Sequence, residues 1–285
     1  MGFGNQIKTV VLLGLLTSIL LLIGNYFGGA SGLTIALLIS VAMNVGMYWF
    51  SHKIVLMMYR AKPLQKGQYP WLHTMVKELA HDAGLPMPAL YLVPSQTPNA
   101  FATGRNPKNA VVACTEGILN LLTREELRGV LAHELSHVKN RDMLVTTIAA
   151  TIAGVISYAA MMARWAAIFG GMGGRDNEGG NNIIGVLALA ILAPLIAMIL
   201  QLAISRSREY LADASGAKLI KDGKPLSSAL LKLESSNKLN PMRFGSPATS
   251  SLFIVNPFRG AALAGIFSTH PPTEARVEKL KGMRF

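Results

Sequence analysis

The feature that most constrains this chain is a series of long segments without a charged side chain. No Asp, Glu, Lys or Arg occurs from Thr9 to Ser51, where a turn-rich interval at 24–32 separates two apolar segments. Each segment is close to the ~20 residues with which a helix crosses the hydrocarbon core of a bilayer. Two similar segments follow later in the chain. The sequence therefore predicts four transmembrane helices, at 9–26, 33–50, 143–163 and 183–204.

The composition of the chain is typical of a membrane protein with water-exposed parts. Of its 285 residues, 51% are apolar and 15% are charged, which is too apolar for an ordinary soluble domain. A cleaved signal peptide is the alternative for the first segment, but Lys8 is the only charged side chain before it and a second apolar segment follows at once. The single cysteine, Cys114, excludes an intramolecular disulfide, and its context, VVAC, predicts a buried strand residue.

The basic residues are unevenly distributed along the chain, which carries a formal net charge of +12. All of the 27 Lys and Arg residues except Arg164 and Arg175 lie before the first span, between the second and third, or after the fourth. Four spans place these three segments on one side of the membrane, and the positive-inside rule makes that side cytoplasmic. The charge is thereby explained without nucleic acid, which we do not expect as a partner. The glycine-rich interval at 170–182 is interpreted as a flexible loop.

One short motif indicates a metal site just before the third apolar segment. The letters HELSH run from His133 to His137 in the pattern H-E-x-x-H. On a helix, residues four apart share a face, so both imidazoles can bind one zinc ion. Glu134 can then act as general base on a water molecule without occupying a coordination position. Thr123 and Glu126 form a capping-box pattern that predicts where this helix begins.

A catalytic zinc site needs a third protein ligand, for which the sequence offers Glu209 in SRSREYLADA. Spans three and four are joined by a short loop and are expected to pack as antiparallel neighbours. His137 lies six residues before the third span and Glu209 five residues after the fourth, so both are expected ~8–9 Å outside the lipid. Asp213, one helical turn after Glu209, can orient a ligand imidazole. The alternative is that Glu209 forms a solvated ion pair with Arg206 or Arg208.

Four segments in order resemble a known family. NAFATG, HELSHVKNRD, REYLADA and STHPPTEAR are together similar to the HtpX family of bacterial heat-shock membrane proteases, which belongs with the CAAX prenyl proteases among the gluzincin metallopeptidases. The resemblance extends over nearly the whole chain. It implies one zinc ion per chain, held by His133, His137 and Glu209. It also implies Glu134 as the catalytic glutamate. Asp213 matches the supporting carboxylate of a Glu-x-x-x-Asp pattern that begins at Glu209.

The resemblance implies further roles that spacing alone does not assign. NAFATG would contain an edge strand that binds an extended substrate by main-chain hydrogen bonds, formed by Asn99, Ala100, Phe101, Ala102 and Thr103. His270 and Arg276 match the histidine and arginine of the C-terminal motif and are expected near the site, where they would stabilise an oxyanion. The alternative for His270 is a turn residue before Pro271.

The implied function is that of a zinc-dependent endopeptidase that degrades misfolded or damaged membrane proteins in envelope quality control, as part of a stress response. The resemblance and the charge distribution together imply a multi-pass protein of the bacterial cytoplasmic (inner) membrane, with its active site facing the cytoplasm. Polypeptides and the lipid bilayer are the expected partners. The specific substrates and the oligomeric state do not follow from the sequence.

The expected architecture is an α+β integral membrane protein with four transmembrane helices and a cytoplasmic gluzincin-like zinc metalloprotease domain. A small sheet is expected from strands at 89–93, 99–103 and 110–113, with a groove-lining loop at 255–268. The chain would then consist of paired spans at 1–51 and 143–204 and of two cytoplasmic catalytic parts at 52–142 and 205–285.

Three other kinds of protein match parts of the pattern. A site-2-type intramembrane protease would place its histidines within an apolar span, whereas charged residues bracket HELSH on both sides. A CAAX-processing enzyme would act on prenylated C-termini, and its family usually has more spans. A metal transporter should carry polar groups within its spans, for which Asn44 and Gln201 are slight evidence, and an inactive scaffold is the remaining alternative.

Overall fold

The computed structural model of the protein describes 29–65, 67–142, 180–239, 254–255 and 270–285, together with scattered positions among 7–19 and 145–161. The expected first and third spans are therefore described only at scattered positions, and most of the two expected loops at 170–182 and 255–268 lies outside the described residues. The chain divides into two compact units. The first comprises Met1–Gly2, Tyr48–Leu144 and Ser205–Phe285, and the second comprises Phe3–Met47 and Val145–Ile204.

Helices dominate the part of the chain that the structure describes. They are α1 (Gly29–Met58), α2 (Pro70–Ala83), α3 (Glu116–Leu121), α4 (Arg124–Lys139), α5 (Gly180–Ile220), α6 (Lys224–Leu239) and α7 (Thr273–Lys281). The expected second span lies within α1 and the expected fourth span within α5. Helix α5 continues without interruption past Ile204, the last residue of the expected fourth span, into the segment SRSREYLADA.

One stretch of the described helices is long and apolar enough to cross a membrane, at 191–220 in α5. Only 33% of its most apolar window is buried within the protein, unlike the core helix of a soluble domain. Its exposed apolar side chains are Ile191, Leu192, Leu195, Ile196 and Ile199. The four-span arrangement stays a prediction.

The second unit contains a buried cluster of small side chains. Ala149 and Ala153, one helical turn apart, share this cluster with Ala193 and Ala197 of α5, which have the same spacing. Small residues at this spacing let helix backbones approach closely, which is how helices associate in lipid. The described residues of the third expected span and those of α5 are therefore packed together.

A four-stranded sheet lies in the first unit, in the order β1-β2-β4-β3. Its strands are β1 (Lys62–Pro63), β2 (Ala89–Val93), β3 (Ala100–Thr103) and β4 (Val111–Thr115). Strands β2 and β4 pair in parallel, and β3 pairs with β4 antiparallel, so β3 is an edge strand. The three strands expected from the sequence are confirmed to within two residues at each end.

The side chains of the central strand alternate between two buried clusters. Val112 and Cys114 face the main core, which is formed with α2, α4, α6 and α7. Ala113 faces a smaller cluster with Val55 of α1 and with Tyr59, the residue just after α1. This alternation is the period of two that a strand imposes. Burial raises the pKa of the Cys114 thiol to about 12, with a smaller contribution from Glu134, so this cysteine is an inert core residue.

Helix α4 begins with the capping box that the sequence predicts. The Thr123 hydroxyl accepts a hydrogen bond from the Glu126 N–H, and the Glu126 carboxylate accepts one from the Thr123 N–H at 2.9 Å. The same carboxylate also accepts hydrogen bonds from Ser228 at 2.6 Å and from Lys232 at 2.8 Å, both on α6. The buried Glu126 therefore caps the N-terminus of α4 and also links α4 to α6 by hydrogen bonds.

The contribution of Glu126 to stability should depend on pH. Burial raises the pKa of Glu126, but the hydrogen bonds from Lys232, Ser228 and Thr123 outweigh it and lower the pKa from 4.5 to about 2. The stabilisation is therefore complete above about pH 4.5 and is lost as the pH falls through about 2. We expect Glu126→Gln to lower the free energy of unfolding at pH 7, and the difference from wild type to shrink between pH 4.5 and 2 in denaturant titrations. A pH-independent difference would contradict this account.

Candidate metal centre and active site

The two histidines of the motif lie together on one face of α4. Their ring centroids are 4.6 Å apart and the rings are nearly perpendicular. The Nε2 atoms of His133 and His137 approach to 3.1 Å. His133 is buried and His137 is partly exposed, so solvent reaches this face of α4 at His137.

Helix α5 brings a carboxylate to the same place. Glu209 Oε1 lies 3.4 Å from His137 Nε2, and its Oε2 lies 3.6 Å from His133 Nε2. The three side chains each offer one potential metal-ligand atom, and these atoms all lie within 4.8 Å of one another. The alternative partner Arg208 is directed elsewhere, onto Asp142. The structure thus brings together the three residues that the sequence proposed as metal ligands.

A glycine allows α4 and α5 to approach this closely. A Cβ atom placed on Gly216 would lie 2.8 Å from the backbone nitrogen of His133 and 3.0 Å from the carbonyl carbon of Ala132. Both neighbours are backbone atoms, which cannot rotate away. The close contact between Gly216 of α5 and the backbone at His133 of α4 therefore sets the distance between the two ligand-bearing helices.

We expect Gly216→Ala to destabilise the protein and to weaken metal binding. Alanine has a higher helix propensity than glycine by about 1 kcal/mol, but overpacking costs about 1–3 kcal/mol, so the clash should dominate. Gly46→Ala is the matched control, because a Cβ atom at that helical position meets nothing within 4 Å. Thermal unfolding and zinc titration of both variants measure the effect. Equal behaviour of the two would show that the helices are not in contact as described.

A carboxylate lies behind each histidine. Asp213 Oδ1 is 2.9 Å from His133 Nδ1, and Asp142 Oδ2 is 2.6 Å from His137 Nδ1. A carboxylate only accepts hydrogen bonds, so His137 Nδ1 is the donor to Asp142. The Asp213 carboxylate, 2.9 Å away, favours a proton on His133 Nδ1 in the same way. A neutral imidazole with its proton on Nδ1 directs the Nε2 lone pair at the other histidine and at Glu209. Three acceptors facing one another at these distances repel unless a cation lies between them.

The spacing of these acceptors suits a small tetrahedral metal ion. Zinc–nitrogen and zinc–oxygen distances of 2.0–2.2 Å correspond to ligand atoms about 3.3–3.5 Å apart in a tetrahedron. The observed separations are 3.1, 3.4 and 3.6 Å. Neutral imidazole nitrogens backed by carboxylates are also the usual form of histidine at metal sites. The residues present therefore fit a zinc ion with one coordination position left open.

The pKa of His137 reflects the surrounding negative charge. Burial lowers this pKa, but the carboxylates of Glu209, Asp142 and Glu134 raise it to about 9. The charges that would attract a metal ion thus attract a proton in its place.

Glu134 is buried beside this cluster and contacts the sheet. Its Oε2 accepts a hydrogen bond from the Ala102 N–H at 2.7 Å. Burial raises the pKa of Glu134 above its ordinary value, which is the direction that suits a general base. The sequence predicted the glutamate but not its contact with β3.

The edge strand offers main-chain groups next to Glu134. Thr115 N–H donates to the Asn99 carbonyl at 2.9 Å, and bonded pairs alternate along an antiparallel ladder. The N–H and C=O groups of Ala100 and Ala102 therefore point away from β4, and that of Ala102 reaches Glu134. Asn99 itself precedes the strand, and its side chain accepts a hydrogen bond from Ile254 N–H at 3.3 Å.

The C-terminal motif residues lie at the site in different ways. His270 Nδ1 is 3.1 Å from Glu209 Oε2, so His270 adjoins the candidate ligand. Arg276 is buried, donates to both oxygens of Asp213 at 2.7 and 2.8 Å, and donates to the Ile254 carbonyl at 2.9 Å. Its guanidinium is thus engaged behind the ligands, which differs from the expected role at an oxyanion.

Two side chains at the site were not singled out by the sequence, Asp142 and Arg208. Asp142 was interpreted only as a charge that flanks the motif, and Arg208 only as an alternative partner of Glu209. The available signal was a carboxylate five residues after the last histidine, which can fold back onto that histidine because the helix ends at Lys139. The pairing with Arg208, 66 residues away, has no local signal.

The sequence of this chain is similar to those of known proteases. The profile described as Peptidase family M48 matches 66–284. A protein named Protease HtpX homolog from Syntrophobacter fumaroxidans is 53% identical over 281 residues, which cover 98% of this chain and 100% of that protein. Another of the same name from Thermococcus kodakarensis is 52% identical over 283 residues, covering 99% and 97% of the two chains.

A solved structure resembles the fold. The crystal structure of S. mikatae Ste24p aligns with a TM-score of 0.57 at 22% sequence identity. The alignment covers 97% of this chain and 65% of Ste24p, so the present chain spans about two thirds of that protein's length. At this identity the likeness concerns the fold alone.

Proposed function

Because this chain belongs to peptidase family M48 and is a metallopeptidase of the HtpX type, we propose that it is a membrane-bound zinc endopeptidase with His133, His137 and Glu209 as metal ligands. The observation that carries the proposal is the convergence of three acceptor atoms within 4.8 Å. The family implies a metal ion. The nitrogen and oxygen donors and their near-tetrahedral spacing favour zinc.

A zinc ion held by His133, His137 and Glu209 would supply Lewis acidity, which lowers the pKa of water and polarises a peptide carbonyl. Glu134 takes the proton of the attacking water and delivers it to the leaving amine. Its hydrogen bond from Ala102 N–H, at 2.7 Å, limits the positions that the carboxylate can occupy. The aspartates behind His133 and His137 hold the imidazole rings in place.

The substrate would bind to β3 as an added strand. An extended polypeptide would pair with the outward main-chain groups of β3, where the partly exposed Ala102 offers its carbonyl. The Ala102 N–H is bonded to Glu134 and Ala100 is buried, so pairing at Ala102 would bring the scissile bond near the base. Main-chain pairing reads little side-chain sequence, which suits an enzyme that acts on misfolded proteins. His270 is the side chain that we propose to stabilise the oxyanion, whereas Arg276 positions Asp213 and Glu209.

The membrane location is supported by the composition and by α5. Exposed apolar side chains cover much of 191–204, and the basic residues concentrate in segments that four spans would place on one side. We propose an inner-membrane protein with a cytoplasmic active site, acting on damaged membrane proteins. A reporter that is active only outside the cytoplasm, fused at Gly180, should be active; silence there would reverse the topology.

The direct test is metal analysis with a protease assay on the full-length protein purified in detergent. We expect about one zinc ion per chain, cleavage of casein, loss of cleavage with a chelator, and recovery when zinc is restored. Unchanged cleavage after complete zinc removal would refute the zinc mechanism. Stoichiometric zinc without cleavage of casein or denatured membrane proteins would refute the peptidase assignment.

A further inference from the structure

We propose that Asp142 and Arg208 form a positioning pair that holds His137 in its metal-binding orientation and joins the two ligand-bearing helices. The inference rests on the proposed function, because it concerns the same metal site. Neither side chain belongs to the ligand cluster that the described residues form.

The contacts form a chain that leads from Arg208 to the metal-facing atom. The Arg208 guanidinium forms an ion pair with Asp142 Oδ1 through both Nε and Nη2. The other carboxylate oxygen, Oδ2, lies 2.6 Å from His137 Nδ1. The opposite nitrogen of that ring, Nε2, faces His133 and Glu209. The two oxygens of Asp142 thus bind different side chains, Arg208 and His137, and Asp142 links the guanidinium to the ring.

The end of α4 is shaped to return Asp142 to His137. The helix stops at Lys139, and Arg141 adopts a left-handed conformation with φ 55°. Left-handed residues commonly end helices, but most are glycine, and other residues rarely adopt this conformation. The turn brings the carboxylate, five residues beyond His137, back beside the imidazole.

Arg208 connects this helix end to α5. Besides Asp142, it donates from Nη2 to the Asn140 carbonyl at 2.9 Å, one of the carbonyls that a helix C-terminus leaves without a partner. Arg208 is also the residue directly before Glu209. One guanidinium therefore fixes the end of the helix that carries His137 relative to the residue that carries the third ligand.

The burial of the pair explains why both members are needed. Asp142 and Arg208 are both 5% exposed. Removing one member of a buried ion pair leaves the charge of the other without its partner, which is strongly destabilising. Loss of Arg208 would therefore disturb the position of Asp142, and with it the contact between Asp142 and His137. A second, separate arrangement of the same kind, Arg276 with Asp213, lies behind His133.

The test compares zinc affinity among variants of the full-length protein in detergent, measured by competition with a chromophoric chelator. The variants are Asp142→Asn, Arg208→Gln, the double variant, Arg208→Lys and the control Lys139→Gln. Lys139 is an exposed residue in the last turn of α4, so its loss removes a positive charge near the same helix end without touching the pair. Thermal unfolding of the metal-free proteins shows which variants are folded.

We expect each single variant of the pair to bind zinc about 10–100-fold more weakly, as is typical for residues that orient a ligand. The double variant should lose no more than the larger single effect, because both residues act through one contact. At saturating zinc, kcat should fall while KM stays unchanged, since neither side chain touches the peptide. Lys139→Gln should match wild type.

Wild-type zinc affinity in folded Asp142→Asn or Arg208→Gln would overturn the inference, as would additive losses in the double variant. If Arg208→Gln does not fold, Arg208→Lys decides, because lysine keeps the charge but lacks the planar fork that reaches both Asp142 and the Asn140 carbonyl. Lysine with wild-type affinity would overturn the positioning role. A wild-type protein that binds no zinc would instead refute the proposed function, so the two failures are distinguishable.

Discussion

Glu134→Gln should retain one zinc ion per chain and lose most of its peptidase activity. Glutamine has nearly the same shape and its carbonyl oxygen can still accept the hydrogen bond from Ala102 N–H, so the local packing should persist. An amide cannot take up the proton of the attacking water. General acid–base catalysis contributes about 10²–10⁴-fold, and we expect kcat to fall by this factor.

The control for this variant is Glu125→Gln, the same chemical change on the same helix at an exposed position. Zinc content, thermal unfolding and casein cleavage should be measured on both variants and on wild type. An active Glu134→Gln protein would remove Glu134 from the mechanism. Loss of zinc together with activity would show instead that the glutamate supports the metal site.

Glu209→Gln should lower zinc affinity by more than the 10–100-fold typical of a residue that only orients a ligand. The substitution removes the only carboxylate among the three candidate ligands and replaces it with a neutral amide, a much poorer donor to a divalent cation. The carboxylate of Glu209 also lies near the guanidinium of Arg276, with Nη1 at 3.5 Å, and near His270 Nδ1 at 3.1 Å. Its removal should therefore destabilise the metal-free protein as well.

Glu278→Gln is the matched control, because Glu278 is an exposed carboxylate on α7 outside the ligand cluster. Glu209→Asp adds a second comparison, since it keeps the charge but shortens the side chain by one methylene, and it should bind zinc better than Glu209→Gln. Chelator competition gives the affinities. Tight zinc binding by Glu209→Gln would dismiss this residue as the third ligand.

Features with a local physical cause could be predicted from the sequence. The capping box of α4 depends on Thr123 and Glu126, three residues apart, and the hydrogen bonds of both are present. The three main strands follow from short runs of β-forming residues and are confirmed nearly at the expected bounds. The two-residue strand β1 has no comparable signal, because it exists only through its pairing with Leu92 and Tyr91.

The candidate site combines features that follow from local sequence patterns with features that depend on tertiary contacts. The i, i+4 histidines and Glu134 follow from helical periodicity, and Glu209 was placed beside them by an argument from adjacent spans. The role of Arg276 was expected at an oxyanion, whereas the structure directs it to Asp213. Burial alone would lower the pKa of Arg276. The neighbouring carboxylates, Asp213 above all, outweigh this effect and raise the pKa above its ordinary value.

By itself, the sequence determined the helical motif, its beginning, the sheet-forming segments and the family to which the chain belongs. These depend on interactions between neighbouring residues or on patterns that persist along the chain. Only the tertiary structure decided that Ala102 contacts Glu134, that Gly216 sets the distance between α4 and α5, and that Arg208 reaches Asp142. Each of these contacts joins residues at least 32 positions apart, and their partners depend on how the elements pack rather than on the residues beside them.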